Sequence, residues 1–220
     1  MLFAVINILV IKTYRYLPAS LAMFMSVLST VSVVVFAYIF TTETLSPKQW
    51  LGALTLFLAV VIVAIINKRR SKGAEEKYIL IGISFAVLTT LIFAPAMLNE
   101  KYLIDRLGLE TYVLYGWGMQ AVAAFRLAFM LRTKNDKKVK LTRRMHVNIW
   151  AYAVLLIFSG LMYVTSLQKS GSASLTAVIA VANVSITVML AYVFLRERTN
   201  LGTKLLGLLL TCVGVLLLFT

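Results

Sequence analysis

The chain has 220 residues, 61% of them hydrophobic and only 14% charged, with a formal net charge of +14 and a mean hydropathy of +0.91. A soluble domain carries about 45–50% apolar and roughly 25% charged residues, so this is the composition of an integral membrane protein. Its basic residues sit in short gaps between apolar runs, where membrane proteins keep them, so the charge does not point to nucleic acid.

Eight apolar segments follow one another, over residues 2–16, 17–41, 50–67, 79–98, 110–131, 149–168, 172–195 and 203–220. Runs of about 20 residues suit membrane-crossing helices, whereas barrel strands are about 10 residues long and alternate. The expected class is therefore an all-α polytopic membrane protein with about eight transmembrane helices. Turn formers occupy the gaps: Pro18, Ser46-Pro47, Gly73, Gly108, Gly171 and Gly202. The first segment is the short one, because Lys12 interrupts it after too few apolar residues to cross about 30 Å of hydrocarbon. In the fourth, Pro95 removes the hydrogen bond to the carbonyl of Leu91. The lone cysteine, Cys212, and the lone histidine, His146, have no companions at metal-ligand spacing. No glycine-rich phosphate loop, paired carboxylates or nucleophile–base pair occurs, so no metal, cofactor or enzymatic activity is expected.

An internal repeat organises these segments. At an offset of 154 positions, Ala19-Ser20-Leu21 falls on Ala173-Ser174-Leu175, Ala37-Tyr38 on Ala191-Tyr192, Phe40 on Phe194 and Glu43 on Glu197. Over 17–43 that is 9 identities in 27 pairs. After a one-residue slip, Trp50-Leu51-Gly52 meets Leu205-Leu206-Gly207. Two homologous bundles are expected: residues 1–67 as the last three helices of a first unit, and 77–220 as a complete five-helix second unit. The start of the first unit is expected to lie upstream of Met1. Charge supplies orientation. The gaps after the first, third, fifth and seventh segments, counted with the segment ends beside them, hold 17 Lys or Arg, and the other gaps hold 4. The positive-inside rule makes the first set cytoplasmic, so equivalent helices of the two units cross in opposite senses. An inverted repeat of this kind is typical of transporters.

The residues Ala19-Ser20-Leu21, Glu43, Gln49-Trp50-Leu51-Gly52-Ala53, Ala173-Ser174-Leu175, Glu197 and Leu206-Gly207 carry a resemblance. A five-helix unit whose fourth helix ends in Glu, followed by a short gap and a glycine-bearing fifth helix, resembles the EamA domain of the drug/metabolite transporter (DMT) superfamily. The chain departs from that pattern at Thr30 and Val184, where proline is frequent, and at Thr42 and Arg196, where glycine is frequent. The resemblance implies two inverted repeats, the first lacking its first two helices. It further implies a permease or efflux transporter in the cell membrane that moves amino acids, metabolites or drugs by alternating access. The partners implied are a small-molecule substrate and the lipid bilayer, and a homodimer is compatible with this. A different class of function stands beside it: a non-transporting membrane subunit or lipid-handling partner of a larger assembly, which would bind without flux.

Transporter sites lie near the bilayer midplane between repeats. Thr176, Ala180, Asn183 and Thr187 are spaced 4, 3 and 4, and their repeat partners are Ala22, Ser26, Ser29 and Val33. Each set falls on one helix face. Asn183 and Ser29 sit at the midpoints of their segments. The candidate substrate-binding residues are Asn183, Ser29, Thr187, Ser26, Tyr163, Ser159, Thr90 and Arg126, in a cavity walled by the first, second, fourth, sixth and seventh segments. The alternative for the hydroxyl stripe is interhelical packing. For Arg126 it is snorkelling to the interface, and for Tyr163 an interfacial belt. Glu43 and Glu197 read as loop-pinning acids, with proton coupling as the other reading.

Overall fold

The computed structural model describes residues 2–41, 43–70, 73–131, 142–194 and 201–219. Among these residues there is helix and connecting turn only. In chain order the elements are α1 (Leu2–Tyr16), α2 (Ala19–Phe40), α3 (Pro47–Arg70), α4 (Ala74–Leu107), the single turn α5 (Leu109–Thr111), a π-helical turn (Tyr112–Gly116), α6 (Trp117–Leu131), α7 (Arg143–Ser170), α8 (Ala173–Ala180), α9 (Ala182–Phe194) and α10 (Leu201–Phe219). Most of the basic loop at 132–141, and Glu197 with Arg196 and Arg198, lie outside the described residues.

Local chemistry sets the boundaries. Ser46 and Gln49 form a reciprocal cap at the start of α3: the Ser46 N–H donates to Gln49 Oε1 (2.9 Å) and the Gln49 N–H to Ser46 Oγ (3.3 Å). Pro47 holds the first helical position, where its missing N–H costs nothing. Thr142 caps α7 by accepting from the Met145 N–H, and Ser172 caps α8 by accepting from the Leu175 N–H. Gly171 closes α7 at φ 66°, a left-handed conformation that costs a residue with a Cβ.

Among the described residues, six helical stretches are long and apolar enough to cross a membrane: Ala19–Phe40, Pro47–Arg69, Glu76–Leu107, Arg143–Ser170, Ala173–Phe194 and Gly202–Phe219. The expected count of about eight is therefore not matched by eight such helices among the described residues. The first segment, α1, has only 15 residues. The fifth is interrupted, because the π turn over Tyr112–Gly116 separates the three residues of α5 from α6. The fourth is longer than its apolar run suggested. α4 continues through Pro95 to Leu107, 34 residues in all.

α2 is the central helix, packed against α3, α4, α8 and α9. α1 lies along α4, and α3 lies along α10. In lipid, apolar burial gives helices little drive to associate, so close packing of small residues takes over that role. The α3–α10 crossing illustrates it: a Cβ built on Gly52 would stand 2.8 Å from the Gly214 carbonyl oxygen, and one on Gly214 would stand 3.0 Å from the Gly52 oxygen. Gly207 is as crowded, against Val63 and Phe24. Leu17, Leu21, Phe24, Val27, Leu56, Val60 and Val63 form the main buried cluster between these helices. A second cluster joins Val33, Ala94, Met97, Ile104, Tyr112, Val164 and Leu167, tying the lower end of α7 to α4 and the π turn. Most of the first half of α7 is exposed, as are Phe125, Phe129 and Met130 of α6.

Glu43 fastens the loop after α2 to the start of α8. Its carboxylate accepts from Ser174 Oγ (2.6 Å), Ser172 Oγ (3.2 Å) and the Ala173 N–H (3.2 Å). An acid at a helix N-terminus satisfies otherwise orphaned donors and complements the dipole. The loop-pinning reading of Glu43 matches this geometry. Removing a half-buried, charge-assisted cluster of this kind costs about 1–3 kcal/mol. Glu43→Ala is accordingly expected to lower the thermal unfolding temperature in detergent, read by tryptophan fluorescence. Glu43→Gln, which keeps an acceptor oxygen, should lose less.

Candidate functional site

A cavity of about 250 Å³ opens between α1, α2, α4, α7 and the α8–α9 pair. These are the five segments expected from the sequence to wall it. Ser29 and Thr90 stand at the midpoints of α2 and α4 and face each other across it, Oγ to Oγ1, at 3.5 Å. Ser26 lies at the exposed mouth and Thr90 is buried. Phe93, Met97, Met25, Ala177, Val181 and Val184 make the apolar wall, and Tyr163 enters from α7. Among the described residues, none that lines the cavity is charged.

Apart from Tyr163 Oη, which has no partner among the described residues, most of the hydroxyls are not free donors. Thr90 Oγ1 donates to the Ala86 carbonyl (2.9 Å), Thr89 to Phe85 (2.7 Å), Thr13 to Leu9 (2.9 Å) and Ser26 to Met23 (2.6 Å), each within its own helix. Thr30 donates across to the Ala177 carbonyl on α8 (3.1 Å). With their hydrogens so engaged, these groups offer a guest mainly oxygen lone pairs. The site is an apolar pocket with convergent acceptors, the usual chemistry of a small-molecule site. Two lining positions, Thr30 and Thr90, also tie helices together.

The eight candidate residues divide. Ser26, Ser29, Thr90 and Tyr163 line the cavity. Asn183, Thr187, Ser159 and Arg126 do not, and Asn183, Ser159 and Arg126 are exposed on the outer face of the bundle. The seventh segment turns a different face inward: Ala177, Val181 and Val184, one residue on from the polar stripe. Two features set that rotation. Thr176 is drawn into the α7–α8 turn, where its hydroxyl meets Ser170 Oγ (2.8 Å) and the Ser172 carbonyl (3.1 Å). The helix then breaks at Val181, with i to i+3 bonds from Val181 to Val178 and from Val184 to Val181. Such a turn advances about 120° per residue rather than 100° and swings Asn183 outward.

Thr89, Thr30, Thr13 and Tyr14 also line the cavity and were not among the eight candidates. Nor was a buried cluster one turn beyond it. Tyr112 Oη donates to Glu100 Oε1 at 2.6 Å, and Gln120 Nε2 reaches Tyr112 Oη at 3.5 Å. Glu100 follows Asn99 in what reads as a polar loop. Only the run of α4 through Pro95 brings it inside.

The EamA-like transporter family matches residues 80–220. Comparison with curated proteins and with solved structures gives no match.

Proposed function

The chain belongs to the EamA-like transporter family, and on that premise we propose that the cavity between α1, α2, α4, α7 and α8–α9 is its solute site. The chain is thus a multi-pass membrane transporter of the DMT superfamily. On this reading it moves small amphipathic metabolites, amino acids or drugs, passed across by alternating access between two inverted units at 1–67 and 77–220. The observation that carries the site is the facing pair Ser29 and Thr90 at helix midpoints in an otherwise apolar cavity. A guest that supplies N–H or O–H donors meets acceptors there, and its apolar body meets Phe93, Met97 and Val184.

Counterflow in proteoliposomes tests this, with labelled leucine, phenylalanine and phenethylamine as probes. Protein-dependent exchange of at least one supports the reading. Binding without exchange supports the non-transporting subunit instead. Asn183 supplies an internal control. Because it is exposed and off the cavity wall, Asn183→Leu is expected to leave counterflow near the parent rate. Loss of flux with normal folding would put the residue back in the site.

A further inference from the structure

Glu100 lies on the same stripe of α4 as the cavity wall. Ala86, Thr90, Phe93 and Met97 line the cavity at spacings of 4, 3 and 4, and Glu100 is the next position on that face. It stands about 15 Å along the helix axis from Thr90 at 1.5 Å per residue. The residue is only 4% exposed. One carboxyl oxygen accepts from Tyr112, whereas Oε2 is buried with no hydrogen-bond partner. Among the described residues, Tyr163 Oη on the cavity wall is the other buried side-chain polar atom without a partner.

Among the described residues, no cation pairs with this carboxyl. The ion pairs among the described residues are Lys68 with Glu76 (3.8 Å) and Lys101 with Asp105 (2.7 Å), so the neighbouring Lys101 is turned away. Arg106 lies over the ring of Tyr102 at 5.0 Å. From the packed elements, Tyr112 of the π turn and Tyr163 of α7 are the titratable groups that face Glu100, with Gln120 of α6 behind Tyr112. Glu110 and Lys169 are exposed. An enclosed carboxyl without a cation needs a positive partner, and an ionisable residue inside a span is costly unless it has work to do.

We propose that Glu100 is a proton-binding site at the end of the solute cavity, and that it couples solute movement to protons. The inference rests on the transporter reading of the cavity. Oε2 takes a proton from water on one side of the membrane and returns it to water on the other. One O–H bond forms as another breaks, and no electrons are exchanged. Tyr112 holds Oε1 in place throughout, and Tyr163 stands between the carboxyl and the guest, so the two sites sense each other without sharing a ligand. Proton coupling, the other reading of Glu43 and Glu197 on sequence, is thereby assigned to a different acid.

Solid-supported-membrane recording on proteoliposomes of the whole chain tests the proposal without any solute. A pH step should displace charge transiently in the parent protein, and Glu100→Gln should reduce the signal to that of protein-free liposomes. Gln keeps an oxygen to accept from Tyr112, so the variant should remain folded, checked by size exclusion and thermal unfolding. Glu100→Asp should restore a displacement with an altered pH midpoint. Equal displacement in the parent and in Glu100→Gln overturns the proposal, as does its absence in the parent. In those cases leucine or phenethylamine counterflow, measured separately, tells whether the transporter reading stands. Phenethylamine binding that is lost in Glu100→Gln, with no displacement by pH alone, would assign the carboxyl to a solute amine and also overturn it.

Discussion

Ser29→Phe and Thr90→Phe are each expected to bring counterflow down to the level of protein-free liposomes while the protein remains monodisperse. The two hydroxyls are 3.5 Å apart in a cavity of about 250 Å³, so an aromatic ring at either position takes the volume a guest would occupy. Ser29→Ala separates volume from hydrogen bonding. It removes one neutral acceptor, worth about 1 kcal/mol, so flux should fall only several-fold. Both positions lie inside the bundle, and overpacking also strains it. Thermal unfolding must therefore accompany the flux measurement. Parent-like flux in Ser29→Phe would place the solute path elsewhere.

The second large effect concerns assembly. Gly52→Leu and Gly214→Leu should largely abolish recovery of monodisperse protein. At Gly52 a Cβ meets backbone, the Gly214 oxygen at 2.8 Å and the Leu218 nitrogen at 3.0 Å, and backbone cannot rotate away as a side chain can. At Gly214 it meets Leu56 at 2.8 Å and the Gly52 oxygen. Overpacking a close interface costs about 1–3 kcal/mol for small additions, and a leucine adds more than one methyl group. Gly118→Leu is the control: nothing lies within 4 Å of its added Cβ, and glycine inside a helix is about 1 kcal/mol worse than alanine. That variant should be recovered as well as the parent. Size-exclusion yield reads all three. Normal yield from Gly52→Leu would mean that α3 and α10 do not cross this closely.

These effects divide along the same line as the legibility of the sequence. Helices were readable because apolar runs of about 20 residues admit little else in a membrane, and their ends were readable from Pro47, Gly73, Gly108 and Gly171. Glu43 stood out as an acid that apolar composition alone would not place, and it does pin a helix start. The cavity face of α2 was legible too, since Ser26 and Ser29 interrupt a run of apolar residues. The face of α8–α9 was not. That stretch is small or apolar nearly all round, so its few polar residues mark no inward stripe, and the cap at Ser172 together with the break at Val181 decides its rotation. Glu100 was hidden for the opposite reason. Asn99-Glu100-Lys101 reads as a solvated loop, because sequence pattern does not reveal that a helix will run on through Pro95 and carry the acid under Tyr112.

The most direct test of the cavity as a solute path is its accessibility from the two sides of the membrane. Cys212 is exposed, so Ser29→Cys should be made in a Cys212→Ala background and treated with a membrane-impermeant thiol reagent in oriented vesicles. The account predicts that the cysteine reacts from either side in turn, that reaction stops counterflow, and that saturating transported solute slows it. A cysteine at 29 that reacts from one side only, or whose modification leaves counterflow unchanged, would contradict it.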